Sequence, residues 1–269
     1  LPASDPSSSR AADRERLTAA VREAGAVALT FIGTDFRRWT KGEGDSPVTE
    51  ADIAANDLLQ SRLCVPGDGW LSEESENDPA RLAARRVWVV DPIDGTRAYI
   101  AGREDWSVSA ALVEDGRPVL AAVFAPATGE FFAAELGHGA TRNGTSIQAS
   151  AGADLAGSRI GGPKRMLERM SERHPALVAM PRVHSLALRL VRVAQGELDA
   201  AIAGGNGHDW DLAAADLLVH EAGGVLTALD GKPLIYNRTE PVHSVLVAAG
   251  RERHATLLEV VRAQVAEQR

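Results

Sequence analysis

Aromatic residues make up only 4% of this 269-residue chain, and there is a single cysteine. The shortage of rings leaves the core to aliphatic side chains, which the 45% hydrophobic content supplies. Cys64 has no second cysteine with which to form an intrachain disulfide and no nearby histidine with which to build a soft-metal or redox site, so it is expected to be a buried helix residue. No apolar run reaches the roughly 18 residues of a membrane span, and no signal-peptide core opens the sequence. A cytoplasmic protein without a membrane partner is expected. Positive charge is in deficit as well: 29 Lys and Arg stand against 37 Asp and Glu, a net charge of −8. That balance argues against a nucleic-acid polymer or an anionic membrane as partner. It leaves small phosphates open, because a bound divalent cation inverts the local potential of an acidic site.

What the chain does have is carboxylates placed where buried strands stop. In Arg86-Val-Trp-Val-Val-Asp91-Pro92-Ile93-Asp94-Gly95-Thr96, residues Val87 to Val90 are β-branched or aromatic without polar alternation, the pattern of a strand covered on both faces. Pro92 has no N–H for a ladder and is expected to end the strand at a turn carrying Asp91 and Asp94. Two carboxylates on so short a segment repel unless a cation lies between them, and all-oxygen ligands suit a hard ion such as magnesium. Gly95 permits close approach of a ligand, and the Gly95 and Thr96 N–H groups are suited to an anion. An alternative reading of an isolated Asp-x-x-Asp-Gly is a turn whose aspartates cap local N–H groups. Two further acidic clusters favour the metal: Glu73-Glu74 after Trp70-Leu71-Ser72, and Asp209-Trp210-Asp211 at a helix start.

Around these clusters the chain reads as an α+β half, residues 11–150, followed by an α/β half, residues 151–269, with the boundary in the small-residue segment near 145–155. Residues 1–10 lack periodicity and are expected to form a disordered arm. An amphipathic helix runs from Ala11 to Phe31. Lys41 to Pro47 is expected to be a flexible loop, and Thr49 the N-cap of a helix to Leu63. Ser107–Val113, Val119–Phe124 and Phe131–Glu135, separated by Asp-Gly and Thr-Gly, read as an antiparallel meander, with His138 an ordinary turn residue beyond it. Helices over Pro163–Arg173, Ser185–Gln195 and Trp210–Ala222 alternate with a strand at Leu198–Ala203. No internal repeat is visible.

The three motifs, Glu73-Glu74, Asp91-Pro92-Ile93-Asp94-Gly95-Thr96 and Trp210-Asp211 with the alanines that follow, resemble in type and order the inositol monophosphatase family of magnesium-dependent, lithium-sensitive phosphomonoesterases. The resemblance runs from about Ser46 to Gly224. It implies a layered α-β-α-β-α sandwich, a homodimer, and two or three Mg2+ ions per site. It also implies that Glu73, Asp91 and the Ile93 carbonyl hold one ion, while Asp91, Asp94 and Asp211 hold another. Thr96 would orient the attacking water, and Glu73 or Glu74 would receive its proton, with Glu74 preferred as a support behind Glu73. Many relatives supply an aspartate for a third ion where this chain has Ser46, with Asp45 one residue away as the substitute. Asp52 reads equally well as a helix-start carboxylate and as a site residue. His208 and Asp209 are expected to cap the helix bearing Asp211, and Trp210 to pack in the core.

Substrate contacts are expected from Asp94, from Gly95 and Thr96, from the helix start at Ser185, and from Arg189. Arg189 stands one turn beyond Ser185 and faces a second phosphate, or else is a solvated helix residue. His184 either touches phosphate or is an idle helix-start histidine. The Ser46-Pro47-Val48-Thr49-Glu50-Ala51-Asp52 segment and Arg189 resemble bacterial 3'(2'),5'-bisphosphate nucleotidases. Inositol-1-monophosphatase is the alternative, followed by histidinol phosphatase. A non-catalytic phosphate binder is disfavoured, because all four carboxylates and the threonine are present.

Overall fold

A computed structural model describes residues 6–41 and 46–267. The first half contains α1 (Pro6–Phe31), β1 (Arg38–Lys41), β2 (Ser46–Thr49), α2 (Glu50–Leu63), β3 (Gly69–Ser72), β4 (Arg86–Asp94) and α3 (Thr96–Ile100). It continues with β5 (Ser107–Glu114), β6 (Arg117–Ala125), β7 (Glu130–Glu135), β8 (Ala140–Arg142) and β9 (Thr145–Ser146). The second half contains β10 (Arg159–Gly161), α4 (Lys164–Arg173), β11 (Val178–Ala179), α5 (Leu186–Ala194), β12 (Ala200–His208), α6 (Asp209–Glu221), β13 (Gly224–Ala228), β14 (Val242–Gly250) and α7 (Arg251–Ala266).

Strand alternation builds the layers. In β4, Trp88 and Val90 face a core shared with Leu17 and Val21 of α1 and Ala55 and Leu59 of α2, while Val87 and Val89 face a second core shared with α5 and α6. Both faces are apolar, which is why this strand shows no polar alternation in the sequence. The second core continues through α5 and α6 to Ala201, Ala203, Leu246 and Ala248 of the other sheet. A third core, with Ile160, Ile202 and Val247, packs beneath Leu167 and Met170 of α4 and Leu257 and Val261 of α7. The stack is therefore α1/α2, a seven-stranded sheet (β3-β4-β5-β6-β7-β8-β9), α5/α6, a five-stranded sheet (β11-β10-β12-β14-β13), and α4/α7. This is the expected α-β-α-β-α sandwich. The seven-stranded sheet is antiparallel except where β3 runs parallel to β4. The middle helical layer belongs to the second half of the chain but covers the sheet of the first.

Several local expectations are corrected. Helix α1 starts at Pro6, so residues 6–10 of the expected arm are helical, and Arg10 Nη2 donates to Glu114 Oε2 at 2.9 Å, tying the helix start to the sheet. Leu1 to Asp5 lie outside the described residues. Of the expected loop, Lys41, Ser46 and Pro47 instead belong to the paired strands β1 and β2, with Lys41 opposite Ser46, and residues 42–45, Asp45 included, lie outside the described residues. Pro92 does not end its strand. Strand β4 runs through it to Asp94, and the pairing with β5 skips between Asp91↔Ser109 and Asp94↔Ser107, a bulge in which a missing N–H costs nothing. Cys64 is half-buried one residue past α2, as its C-cap.

Candidate active site

The bulge in β4 sets the centre. Asp91 and Asp94, on either side of it, converge with Asp211 from the first turn of α6, and one carboxylate oxygen of each lies within 4.8 Å of the others. Each is fixed by the local backbone. Asp91 Oδ1 accepts the Ile93 N–H at 3.0 Å, and Asp211 Oδ2 accepts the His208 N–H at 2.7 Å. Asp94 reaches across to α5, where its carboxylate accepts the Ser185 hydroxyl (2.5 Å) and the N–H groups of Ala187 (2.6 Å) and Leu186 (3.1 Å). That helix start, expected to face phosphate, is occupied by Asp94.

The electrostatics of the cluster call for a cation. Burial, followed by the charges of Glu73, Asp94 and Asp211, holds the Asp91 carboxyl well above the usual carboxylate range. Burial and then the Asp94 charge do the same to Asp211. Asp94 is raised by burial, against the hydrogen bonds from α5. Asp91 Oδ2 is buried with no hydrogen-bond donor, an arrangement that is costly unless a ligand takes its place. An all-oxygen donor set with an orphaned carboxylate oxygen fits a hard divalent ion.

Glu73 stands beside this trio but outside its tight set. Its carboxylate is 3.5 Å from Lys41 Nζ, and burial raises its affinity for a proton. Lys41 also donates to the Glu73 carbonyl at 2.7 Å and to Glu74 Oε1 at 2.8 Å, so Glu74 is committed to an ion pair at the edge of the site. The Ile93 carbonyl accepts the Thr96 hydroxyl at 3.1 Å, and Asp52 Oδ1 lies 3.3 Å from the same hydroxyl. Asp52 therefore does two jobs: its other oxygen accepts the Thr49 N–H at 2.8 Å, closing the capping box of α2. Burial pushes its carboxyl up to about 7.

Gly95 is required by shape. Its φ of +94° is left-handed, and a Cβ there would stand 3.2 Å from Ser185 N and 3.3 Å from the Asp105 carbonyl. Asp105 braces the same point, since its Oδ2 accepts the His184 N–H at 2.8 Å and lies 2.6 Å from His184 Nδ1. His184 is thus engaged, neither idle nor free. Arg189 is half-buried, not solvated: Nη1 donates to the Ile202 carbonyl and Nη2 to the Val183 carbonyl, each at 3.1 Å, while Nε is buried without a partner. His208 precedes α6 with its ring stacked on that of Trp210 at 4.5 Å, so Trp210 is half-buried at the edge of the core. Asp209 does not cap the helix. It is buried and turned toward His243, with its Oδ1 2.7 Å from His243 Nε2.

Sequence reasoning missed Lys41, which carries no local signal, and did not decide for Asp52. The Thr49-x-x-Asp52 box was visible, but the contact with Thr96 spans the fold.

The sequence profile described as "Inositol monophosphatase family" matches residues 12–266. A 3'-phosphoadenosine 5'-phosphate phosphatase from Mycobacterium bovis is 36% identical over 223 residues, 78% of this chain and 77% of that protein. A histidinol-phosphatase from Chlorobaculum parvum is 31% identical over 85% of this chain and 93% of its own length. Among solved structures, an IMPase from Thermotoga maritima superposes with a TM-score of 0.80 at 28% identity, covering 92% of this chain and 96% of that one. No described helix is long and apolar enough to cross a membrane. A match over nearly the whole chain, a fold that superposes on a solved relative along almost its full length and a carboxylate cluster suited to divalent metal make this chain a member of the inositol monophosphatase family and a phosphatase.

Proposed function

We propose that this phosphatase is a magnesium-dependent 3'(2'),5'-bisphosphate nucleotidase that converts adenosine 3',5'-bisphosphate to AMP and phosphate. The reading is carried by the Asp91–Asp94–Asp211 cluster with its orphaned oxygen, in a chain whose relatives include proteins named as 3'-phosphoadenosine 5'-phosphate phosphatases. Asp91, Asp94, Asp211, Glu73 and the Ile93 carbonyl would hold two ions. When bound, such ions neutralise phosphoryl oxygens and make water nucleophilic near neutral pH. The chain's own contribution is orientation and proton transfer. Thr96 Oγ1 has one proton, within reach of both the Ile93 carbonyl and Asp52 Oδ1; turned to Asp52, with the carbonyl left to the metal, the hydroxyl can in turn accept from the attacking water. Asp52, beside Thr96, takes the proton-accepting role in this reading, since Glu74 is held by Lys41. Gly95 and Thr96 would line the phosphate, Ser185 would act through its bond to Asp94, and the uncommitted donors of Arg189 would meet the second phosphate of the nucleotide.

The deciding experiment is phosphate release from a panel of monoesters with magnesium. Adenosine 3',5'-bisphosphate should have a higher kcat/KM than inositol 1-phosphate. Arg189→Ala should narrow the gap about ten- to a hundredfold, the worth of one charge-assisted contact. A preference for inositol 1-phosphate would replace this reading with inositol-1-monophosphatase. A preference for histidinol phosphate would favour the activity of the Chlorobaculum relative. Lithium should inhibit, with sodium as the control, because a monovalent ion at Asp94 and Asp211 stabilises a leaving alkoxide less. A homodimer in the cytoplasm completes the proposal, checked by light scattering and by fractionation.

A further inference from the structure

The reaction leaves unused a buried chain of polar groups behind α6. Asp209, the first residue of that helix, is 1% exposed and stands two residues before Asp211. Its Oδ1 lies 2.7 Å from His243 Nε2 on β14, its Oδ2 accepts the Asn237 N–H at 2.7 Å, and its own N–H donates to the Pro241 carbonyl at 3.0 Å. Three bonds in three directions fix the start of the helix to β14 and to the segment before it. The chain then crosses to the first half of the protein. Arg81, 2% exposed, donates Nη1 to Asn237 Oδ1 at 2.6 Å and Nη2 to the Arg238 carbonyl at 3.0 Å, while Asn237 Nδ2 returns a bond to the Arg81 carbonyl at 3.1 Å. Packing does not require ionic and amide groups there, and buried polar groups are tolerated only when fully paired.

We propose that Arg81, Asn237, Asp209 and His243 form a positioning relay that sets where Asp211 presents its carboxylate, and through it the affinity of the metal centre. The proposal rests on the reading of Asp211 as a metal ligand. A helix start free to rock would carry Asp211 with it, because the Asp211 carboxylate is itself held by the His208 N–H at the same turn. The relay would act on metal affinity and on the metal concentration needed for turnover, and would leave kcat at saturating metal close to that of the parent. A purely structural role would lower thermal stability and move neither.

The test is calorimetric titration of Mn2+ into the whole protein. His243→Leu, which removes the donor, should weaken binding about tenfold, and His243→Gln, which keeps a donor, should stay within about threefold, in the range that outer-sphere partners of metal ligands command. Excess Mn2+ should restore kcat in both. A folded His243→Leu protein with parental affinity overturns the proposal, as do equal losses in the two variants. If His243→Leu does not fold, Asn237→Gly decides. Glycine keeps the left-handed φ of +57° and the N–H to Asp209 while removing the bridge to Arg81. Weakening of about threefold supports the relay, and unchanged affinity overturns it. Asp211→Asn separates the two levels: parental Mn2+ affinity in that variant removes Asp211 from the metal centre, a failure of the underlying reading and not of the relay geometry.

Discussion

Asp52 and Thr96 stand 44 residues apart in sequence and meet at 3.3 Å, carboxylate to hydroxyl, beside the carboxylate cluster. Asp52→Asn should therefore lower kcat by about two to four orders of magnitude, the usual worth of general-base assistance. Mn2+ affinity should change little. A variant with near-parental kcat would send the proton elsewhere.

Asp91→Asn should abolish turnover while leaving the fold intact. The Asn oxygen still accepts the Ile93 N–H, but the orphaned Oδ2 is replaced by an amide that offers no charge to a metal. Loss of such stabilisation amounts to several kcal/mol, a drop of at least about a hundredfold. Because a buried charge among like charges is removed, the metal-free variant should melt no lower than its parent. Circular dichroism melting and phosphate release check both halves of the prediction.

The pH dependence of stability should weaken with metal. Asp91, Asp94, Asp211, Glu73 and Asp52 all have raised proton affinity, Asp52 up to about 7. Between the unfolded carboxyl values near 4 and these raised values, the metal-free folded state binds more protons than the unfolded chain, so stability from these groups is lost as pH rises. Magnesium held by Asp91, Asp94, Asp211 and Glu73 must displace the protons on those four carboxyls, so the rise in Tm that it produces should grow as pH rises above the unfolded carboxyl values near 4. A magnesium shift independent of pH would mean that these carboxyls are not the ligands.

Ser185→Ala removes a hydroxyl that serves three partners: it donates to Asp94, accepts from the Leu188 N–H at 2.9 Å, and lies 3.0 Å from Ser107 Oγ. Loss of the cap of α5 should cost about 0.5–2 kcal/mol of stability. Asp94 also loses its shortest bond, so half-saturation should require more magnesium. Denaturant unfolding and a magnesium titration of activity read the two effects, and an unchanged magnesium requirement would detach Asp94 from metal binding.

The elements and the acidic motifs were legible because periodicity and local signals carry them, whereas the stacking of the layers and the meeting of the three aspartates followed only from the family resemblance. Val87 to Val90 announce a strand covered on both faces, and Asp91, Asp94 and Asp211 stand next to recognisable helix and strand ends. What was not legible depends on contacts distant in sequence. Nothing near Lys41 indicates that its ammonium will reach Glu73 and Glu74 from a hairpin, and nothing near Asp209 indicates His243. Pro92 misled for a physical reason: proline forbids a ladder bond, but a bulge offers a place where none is made. Arg189 was weighed between substrate and solvent, and neither reading foresaw that the Ile202 and Val183 carbonyls would each take one N–H of its fork.

Asp94 sits at the end of a strand in the first sheet, yet its hydrogen-bond donors come from α5 and its companion Asp211 from α6. During synthesis, a nascent chain has both β4 aspartates long before either helix has left the ribosome. Until then nothing holds the Asp94 side chain and no third carboxylate is at hand. The three carboxylates therefore come together only once residue 211 has been made, so the set proposed to hold the ion is a late product of biogenesis.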